Sequence, residues 1–199
     1  DGKNLYFTRA QGYQKGMALD SIRYDLCRIS FDASTEKMGA PEMVLQASAE
    51  QKSISFPCVS PNGKYLMFTL SDYGNFSIWH PESDLYIMDL TTGTTKNLEN
   101  VNSSDVDSYH TWSSSGHWFV FSSKRMDGLW ARPYIAAFNP ETGETGKAFL
   151  LPQKDPMFYD NYTYTYNRPE LIKTAVKNGK EFEKIIQQAA IPSTPKKIR

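Results

Sequence analysis

Three short apolar runs, each following a glycine-containing turn, recur along the chain at 1–9, 62–70 and 115–123. They read DGKNLYFTR, NGKYLMFTL and SGHWFVFSS. Within each run apolar residues follow one another instead of alternating with polar ones, which is typical of a strand buried on both faces. Asp-Gly and Asn-Gly are preferred centres of tight hairpins because glycine adopts positive φ without steric cost. The pattern predicts a strand after each turn, and an earlier strand before the second and third turns, at 55–63 and 108–116.

More strands follow each run at matching positions. A third strand is predicted in every copy, and a turn then leads to a short fourth strand. The unit recurs after 61 and then 53 residues. Four strands repeated at such a period are the signature of a β-propeller blade. The third strands are predicted at 24–32, 83–91 and 132–139, and the fourth strands at 43–48, 95–98 and 147–151.

The second copy carries the clearest motif, SPNGKYLMFT followed by SDLYIMDLTTG. It resembles the TolB-like, WD-repeat-like propeller motif, which the third copy matches in outline, whereas the first copy lacks its opening residues. SSKRMDGLWARPYIAAF with FLLPQKDPMFYDNYTYTYNRPELI also resembles uncharacterised exported TolB-like proteins of bacteria. The resemblance implies a scaffold in the periplasm or cell envelope with a channel that accepts a peptide. It transfers no functional residue, because the matching positions belong to the structural repeat.

These patterns predict an all-β fold of about three four-stranded antiparallel blades with a C-terminal helical tail. Closed propellers usually have four to eight blades, so the chain is predicted to be part of a larger propeller. A self-contained open stack of three blades is the alternative, although its sheet edges would be exposed. A helix is expected from Asn167, with Glu170 as its capping-box partner. The predicted ranges are blades at 1–50 (partial), 51–100 and 101–152, an aromatic strap or extra strand at 153–168, and a helical, Pro-rich tail at 169–199.

Composition and charge exclude several classes of function. Lys plus Arg and Asp plus Glu each number 22 in 199 residues, so no overall field favours nucleic acid. No apolar run approaches the ~20 residues of a membrane helix, and no membrane insertion is expected. Cys27 and Cys58 are too few for a disulfide scaffold and are interpreted as two small buried thiols.

Catalytic and cofactor motifs are missing from the sequence. It contains no G-x-S-x-G nucleophile elbow, P-loop, dinucleotide-binding glycine pattern or H-E-x-x-H. The histidines, His80, His110 and His117, have no close Cys, His or carboxylate spacing, so no metal and no cofactor are predicted. This favours a binding protein over an enzyme.

The links between second and third strands differ from the other links in length. They are long in every copy, at 10–23, 71–83 and 123–132, whereas first and second strands are joined by tight turns. Insertions gathered on one face of a repeat protein mark the binding face. Their Trp, Tyr and Arg residues are the types enriched in binding hot spots. The candidate binding residues are Tyr73, Phe76, Trp79, His80, Arg125, Asp127, Trp130 and Arg132, with Tyr109 from a blade-linking segment.

Three functions remain open on this sequence. The leading hypothesis is a non-enzymatic propeller that presents its loop face to a protein or peptide in the bacterial envelope. The first alternative is the gating propeller of a prolyl-oligopeptidase-like peptidase, with a catalytic domain outside this chain. The second is a carbohydrate-binding propeller, with Trp79, Trp130 and Tyr73 as sugar platforms and Arg125 or Arg132 pairing a uronate.

Overall fold

The computed structural model describes residues 2–175 and 179–188, and three four-stranded antiparallel sheets make up nearly all of its regular structure. In the first sheet β2 pairs with β1 along one edge and with β3 and β4 along the other. The second and third sheets follow chain order from β5 to β8 and from β9 to β12. These sheets are the predicted propeller blades. The strands are β1 (Asn4–Ala10), β2 (Tyr24–Asp32), β3 (Lys37–Met38), β4 (Glu42–Leu45), β5 (Ser53–Val59), β6 (Tyr65–Ser71), β7 (Asp84–Asp89), β8 (Thr95–Asn97), β9 (Asp107–Trp112), β10 (Trp118–Ser123), β11 (Arg132–Ala137) and β12 (Phe149–Leu150).

Strand β6 shows why its apolar residues are not interrupted by polar ones. Leu66 and Phe68 pack in a cluster with residues of the first sheet, while Met67, which points the other way, packs with residues of the third. Side chains alternate between the two faces of a strand, so a blade between two others must be apolar on both. The predicted burial on both faces is therefore confirmed for β6. In β1 it fails at Leu5, which is exposed because no other described blade covers that face.

Strand β1 is an edge strand within the described residues, since it pairs only with β2. Its counterparts β6 and β10 each pair on the inner side with another strand, β5 or β9. The inner strand that the sequence lacks in the first copy is thus also absent from the described first sheet. Among the described residues, the inner edge of β1 therefore has no strand partner.

The turn before β6 differs in detail from the prediction. Asn62 and Gly63 were expected as its two central residues, but the amide of Gly63 donates to the carbonyl of Ser60 over 2.8 Å, which centres the turn on Pro61 and Asn62. Gly63 follows in the left-handed region with φ 73°. Proline has the fixed φ that the first central position of the turn requires, so Pro61 occupies that position in place of Asn62.

The second and third blades contact each other through turns at the end of the sheets opposite the long loops. The Lys64 ammonium donates to the carbonyl of Glu141 over 2.8 Å, and the ring of Tyr65 packs edge-on against Phe138. Gly143 lies directly against Tyr65, because a Cβ there would come within 2.7 Å of a ring carbon. Gly93 holds the same place in the second blade with nearly the same φ, 75° against 72°, and has open space around it.

We expect Gly143→Ala to lower the free energy of unfolding by about 2–3 kcal/mol, and Gly93→Ala by only about 1 kcal/mol. Both variants force an L-residue into the left-handed region, but only the first also displaces a buried aromatic ring. Urea unfolding of the two variants measures the difference. Equal losses would mean that Tyr65 moves aside freely and that the blades are not held together at this turn.

The segment after the third blade is extended where a helix was expected. Residues 153–168 form no strand. Among the residues that the structure describes, the one α-helix, α1, spans Gly179–Gln187, so the helix predicted from Asn167 is wrong for residues 167–175. The carbonyls of Asn167 and Pro169 instead accept hydrogen bonds from the hydroxyls of Ser122 and Thr111. Backbone groups used in this way are not available for a helix. Residues 153–169 are here called the strap. They lie against the face of the third sheet that is turned away from the second sheet. The end of the predicted tail, from residue 189, lies outside the described residues.

Candidate binding site

The three long loops meet at one end of the sheets. They comprise residues 11–23 (loop A), 72–83 (loop B) and 124–131 (loop C). Loops A and B are joined by a hydrogen bond of 2.6 Å from the amide of Gly74 to the carbonyl of Ile22. Loops B and C meet where the ammonium of Lys124 lies 3.5 Å from the ring centroid of Trp79. The prediction that these loops share one face of the protein is confirmed.

A cleft of about 480 Å³ opens between loops A and B. Its apolar parts are contributed by both loops, and Phe76 and Trp79 remain 70% and 69% exposed. Neighbouring exposed aromatic side chains at the edge of a cleft are of the kind found in interaction patches. The cleft is lined by Leu19, Asp20, Tyr73, Asn75, Phe76, Trp79 and His80.

Two neighbouring residues of loop B adopt a left-handed conformation. Asn75 has φ 71° and Phe76 has φ 48°. Asparagine tolerates this region, whereas for phenylalanine it costs about 1–2 kcal/mol. The turn is held from both sides, because Gly74 lies against the ring of Tyr24 with no room for a Cβ and the hydroxyl of Ser71 donates to the carbonyl of Tyr73. These contacts hold Phe76 in a strained backbone conformation while its ring stays exposed.

The third blade supports loop B from behind. The hydroxyls of Ser77 and Ser108 share a hydrogen bond of 2.7 Å, and Ile78 packs in a small buried cluster with Val106 and Ala131. Tyr109 packs against that cluster at an irregularity of β9, where its φ is 57°. The predicted site residue Tyr109 therefore lies beneath loop B and not in the cleft.

Lys124 is a buried residue in contact with an exposed indole. Only 4% of its surface is exposed, and its ammonium lies over the ring of Trp79. Burial lowers the pKa of Lys124 below its ordinary value, although the carboxylates of Asp105 and Asp127 oppose that shift. The cation–π contact fixes the position of the indole while leaving most of it open to solvent.

Tyr73 and His80 form the inner wall of the cleft. Their rings are tilted against each other with centroids 4.1 Å apart, and His80 is buried. The Nδ1 atom of His80 lies 3.3 Å from Oε1 of Glu82, which also accepts a hydrogen bond from the amide of Asp72. Both predicted residues therefore shape the wall, and His80 exposes very little surface to a ligand.

Arg125 is occupied by contacts within the protein. Its guanidinium pairs with the fully buried carboxylate of Asp107 at 2.5 Å and donates to the carbonyl of Val101 over 2.7 Å. It also stacks over the ring of Tyr134, 4.4 Å from the centroid. Burial raises the pKa of Asp107, and the charge of Arg125 counteracts that shift.

Arg132 is likewise used internally, together with its neighbours on loop C. It is 4% exposed, pairs with Asp127 at 2.9 Å, and donates to the carbonyl of Tyr159 in the strap. Asp127 also accepts hydrogen bonds from the amides of Leu129 and Trp130. Burial opposes this network, but the amides and Arg132 outweigh it and lower the pKa of Asp127.

The structure thus divides the predicted site residues into two groups. Four of them, Tyr73, Phe76, Trp79 and His80, line the cleft. The others, Tyr109, Arg125, Asp127, Trp130 and Arg132, do not line it. Four residues of this site were not predicted from the sequence: Leu19 and Asp20 on loop A, Asn75 on loop B, and Lys124 beneath Trp79.

The described part of the chain has other cavities, one of which, of about 560 Å³, lies beside β1 between Gly2 and Ser34. A second cavity, of about 420 Å³, lies along the outer strands and is lined mainly by polar residues between Lys96 and Asn100. No three metal-ligating side chains come together among residues 2–175 and 179–188. Among the same residues, no helix has the length and apolar character needed to cross a membrane.

Comparisons with known proteins yield distant structural similarity only. No protein-family model and no curated protein matches the chain. The β-propeller domain of the Trilobed protease from Pyrococcus furiosus is 14% identical with a TM-score of 0.42, over 77% of this chain and 41% of that one. The Dos1 propeller is 16% identical with a TM-score of 0.43, over 67% and 35%. A puromycin hydrolase is 12% identical with a TM-score of 0.45, over 73% and 20%. The chain therefore spans less than half the length of each of these structures.

Proposed function

We propose that this propeller domain is a non-enzymatic binding module, and that the cleft between loops A and B receives a protein segment or peptide. The observation that carries the proposal is Phe76, a phenylalanine held in a strained conformation with its ring largely in solvent. Packing within the domain does not account for that strain, because the ring contributes little buried surface. Rigid, exposed aromatic anchors are characteristic of binding surfaces, since they lose little entropy when a partner docks.

Replacing Phe76 should therefore have opposite effects on stability and binding. We expect Phe76→Asn to raise the free energy of unfolding by about 1 kcal/mol, because asparagine tolerates the left-handed region. For a domain of this size that is a rise of about 2–4 °C in Tm. Tyr109→Asn is the matched control: the φ values are similar, but the ring of Tyr109 is packed beneath loop B, so this variant should be destabilised.

Binding can be tested without knowing the natural partner. The full chain is immobilised and used to select phage-displayed random peptides, and recovered clones are then tested against Phe76→Asn and Trp79→Ala. We expect clones whose binding falls at least ten-fold on both variants, as found for aromatic hot spots. If every recovered clone binds both variants like the parent, the cleft is not the binding site.

A glycan ligand remains the alternative for this surface. Trp79 and Tyr73 still lie on the cleft, whereas Trp130 does not line it and Arg125 and Arg132 are paired with acids of the protein. A glycan array probed with the chain and with Trp79→Ala separates the two ligand classes. Binding to defined sugars that depends on Trp79, with no such peptide clones, would replace the peptide proposal.

We place this activity in the bacterial envelope, with the domain acting as a TolB-like scaffold. The support is the resemblance of the second copy, SPNGKYLMFT with SDLYIMDLTTG, to the TolB-like motif. Fractionation of the source cells, with an antibody against this chain, tests the location. Recovery in the cytoplasmic fraction alone would contradict it.

A further inference from the structure

We propose that the cleft prefers a peptide segment in which a bulky apolar side chain lies next to a lysine or arginine, and that Asp20 pairs with this basic group. The inference rests on the proposed function and adds the chemistry of the partner. Three features of the cleft support it: its apolar walls, an unpaired carboxylate beside them, and the cation that already occupies Trp79.

The apolar walls define the anchor of the peptide. Leu19 on loop A is 63% exposed, and Phe76 and Trp79 on loop B are even more open. A cleft of about 480 Å³ accommodates one large side chain with adjoining backbone. Burying such a side chain supplies most of the affinity of a short peptide, because apolar burial is the largest favourable contribution.

Asp20 provides a negative charge at the same cleft. It lies in a short 3₁₀ turn, Leu19–Ser21, and forms no ion pair with any residue that the structure describes. Glu82, the other nearby acid, is already close to His80 and accepts the amide of Asp72. A basic group entering the cleft would therefore meet Asp20 as the available carboxylate.

The cation at Trp79 directs a basic ligand group away from the indole. Tryptophan is the best cation–π partner among the side chains, so an open indole would itself attract lysine or arginine. Here the ammonium of Lys124 lies 3.5 Å from the ring centroid. A second cation on the indole would be repelled by the first, whereas Asp20 offers attraction. The indole thus serves the apolar anchor and Asp20 serves the charge.

The test is an exchange of charges between protein and peptide. Phage-displayed random peptides are selected on the parent chain and, separately, on Asp20→Asn and Asp20→Lys. On the parent, clones should be enriched in Phe, Trp or Leu beside Lys or Arg. A synthetic peptide from the leading clone, and its Lys-to-Glu counterpart, are then titrated against all three proteins by isothermal calorimetry. Asp20→Lys lies on an exposed loop, and its Tm provides the folding control.

Exposed charge pairs contribute modestly, so we expect Asp20→Asn to weaken the basic peptide about three-fold and high salt to have a similar effect. Asp20→Lys should weaken it further and should bind the Glu peptide better than the parent chain does. Parent clones without a basic residue, or equal affinities for both peptides on all proteins, would overturn the inference. If those clones still depend on Trp79, the proposed function stands without this preference. An absence of any Trp79-dependent clone contradicts both.

Discussion

Arg125→Ala is expected to lower the free energy of unfolding by about 3–5 kcal/mol at neutral pH. The substitution removes the partner of Asp107, whose carboxylate is fully buried on β9, and an uncompensated buried charge is among the costliest defects a mutation can create. Two hydrogen bonds from Ser103 remain on the carboxylate and keep the loss from growing further. Chemical denaturation at pH 7 measures the effect.

The dependence on pH separates the charge effect from lost packing. Because Asp107 has a raised pKa even beside Arg125, the variant can relieve its defect by taking up a proton, and its loss of stability should shrink toward pH 4. Arg28→Ala removes an exposed pair with Glu42 and should cost less than about 1 kcal/mol. An equal loss at pH 7 and pH 4 would instead assign the effect to the stacking of Arg125 on Tyr134.

The second blade suggests a repair for the same defect. Ile54 in β5 is the counterpart of Asp107 in β9. Ile54 pairs with Leu70 and Asp107 pairs with Ser123, and these two partners occupy the same position in the repeated runs 62–70 and 115–123. The double variant Asp107→Ile with Arg125→Met should recover most of the stability lost in Arg125→Ala. Buried ion pairs can often be replaced by apolar residues of similar size without loss.

Acid should destabilise the domain through His110. This side chain is fully buried on β9, where its Nε2 donates to the carbonyl of Met67 over 3.1 Å, and burial lowers its pKa from 6.5 to about 4. Above pH 6.5 the histidine is neutral in both the folded and the unfolded state, so it does not lower the free energy of unfolding. As the pH falls from 6.5 to about 4, the unfolded chain binds a proton that the folded one does not, so stability falls by about 3 kcal/mol.

The contribution of His110 is isolated by subtraction. The raised pKa of Asp107 acts in the opposite sense over part of this range, so the parent curve alone does not report one residue. His110→Gln keeps a hydrogen-bond donor but cannot titrate, and it should show less loss of stability between pH 7 and pH 4 than the parent. The exposed His117→Gln should follow the parent curve. Parallel curves for the parent and His110→Gln would mean that His110 is accessible to protons in the folded state.

The strands of this domain were predictable because the same local pattern occurs in each of the three copies. An apolar run after a glycine turn specifies a two-faced strand, and the observed β6 and β10 fall where those runs lie. The helix expected from Asn167 failed for a tertiary reason. The capping residues matched a helix, but the hydroxyls of Ser122 and Thr111 donate to carbonyls of this segment that a helix would need for its own hydrogen bonds. These contacts hold the chain extended. No local pattern can report partners so far away in sequence.

The place where the long loops meet was predicted more fully than the residues that line the candidate cleft. Loop length predicted that the three loops share one end of the sheets, and the aromatic residues Phe76 and Trp79 do lie exposed there. Arginines look alike in sequence whether they bind a ligand or pair with an acid of the same chain. Arg125 pairs with the buried Asp107, and Arg132 pairs with the more exposed Asp127. Leu19 carried no signal, because an ordinary leucine becomes part of a cleft only through the loop that faces it.

The strap is held mainly through its main chain, and this has an evolutionary consequence. The side chains of Thr111, Ser122 and Arg132 bind strap carbonyls, and the amide of Tyr166 donates to the carbonyl of Ala131. Every residue type offers the same carbonyl, so substitutions within most of the strap leave this grip intact. Among homologues most of the strap should therefore vary in sequence, while the hydroxyls and the guanidinium that bind it are kept. The exceptions should be Tyr159, which is buried and donates to the carbonyl of Leu151, and Thr165, whose hydroxyl accepts from the amide of Ala131.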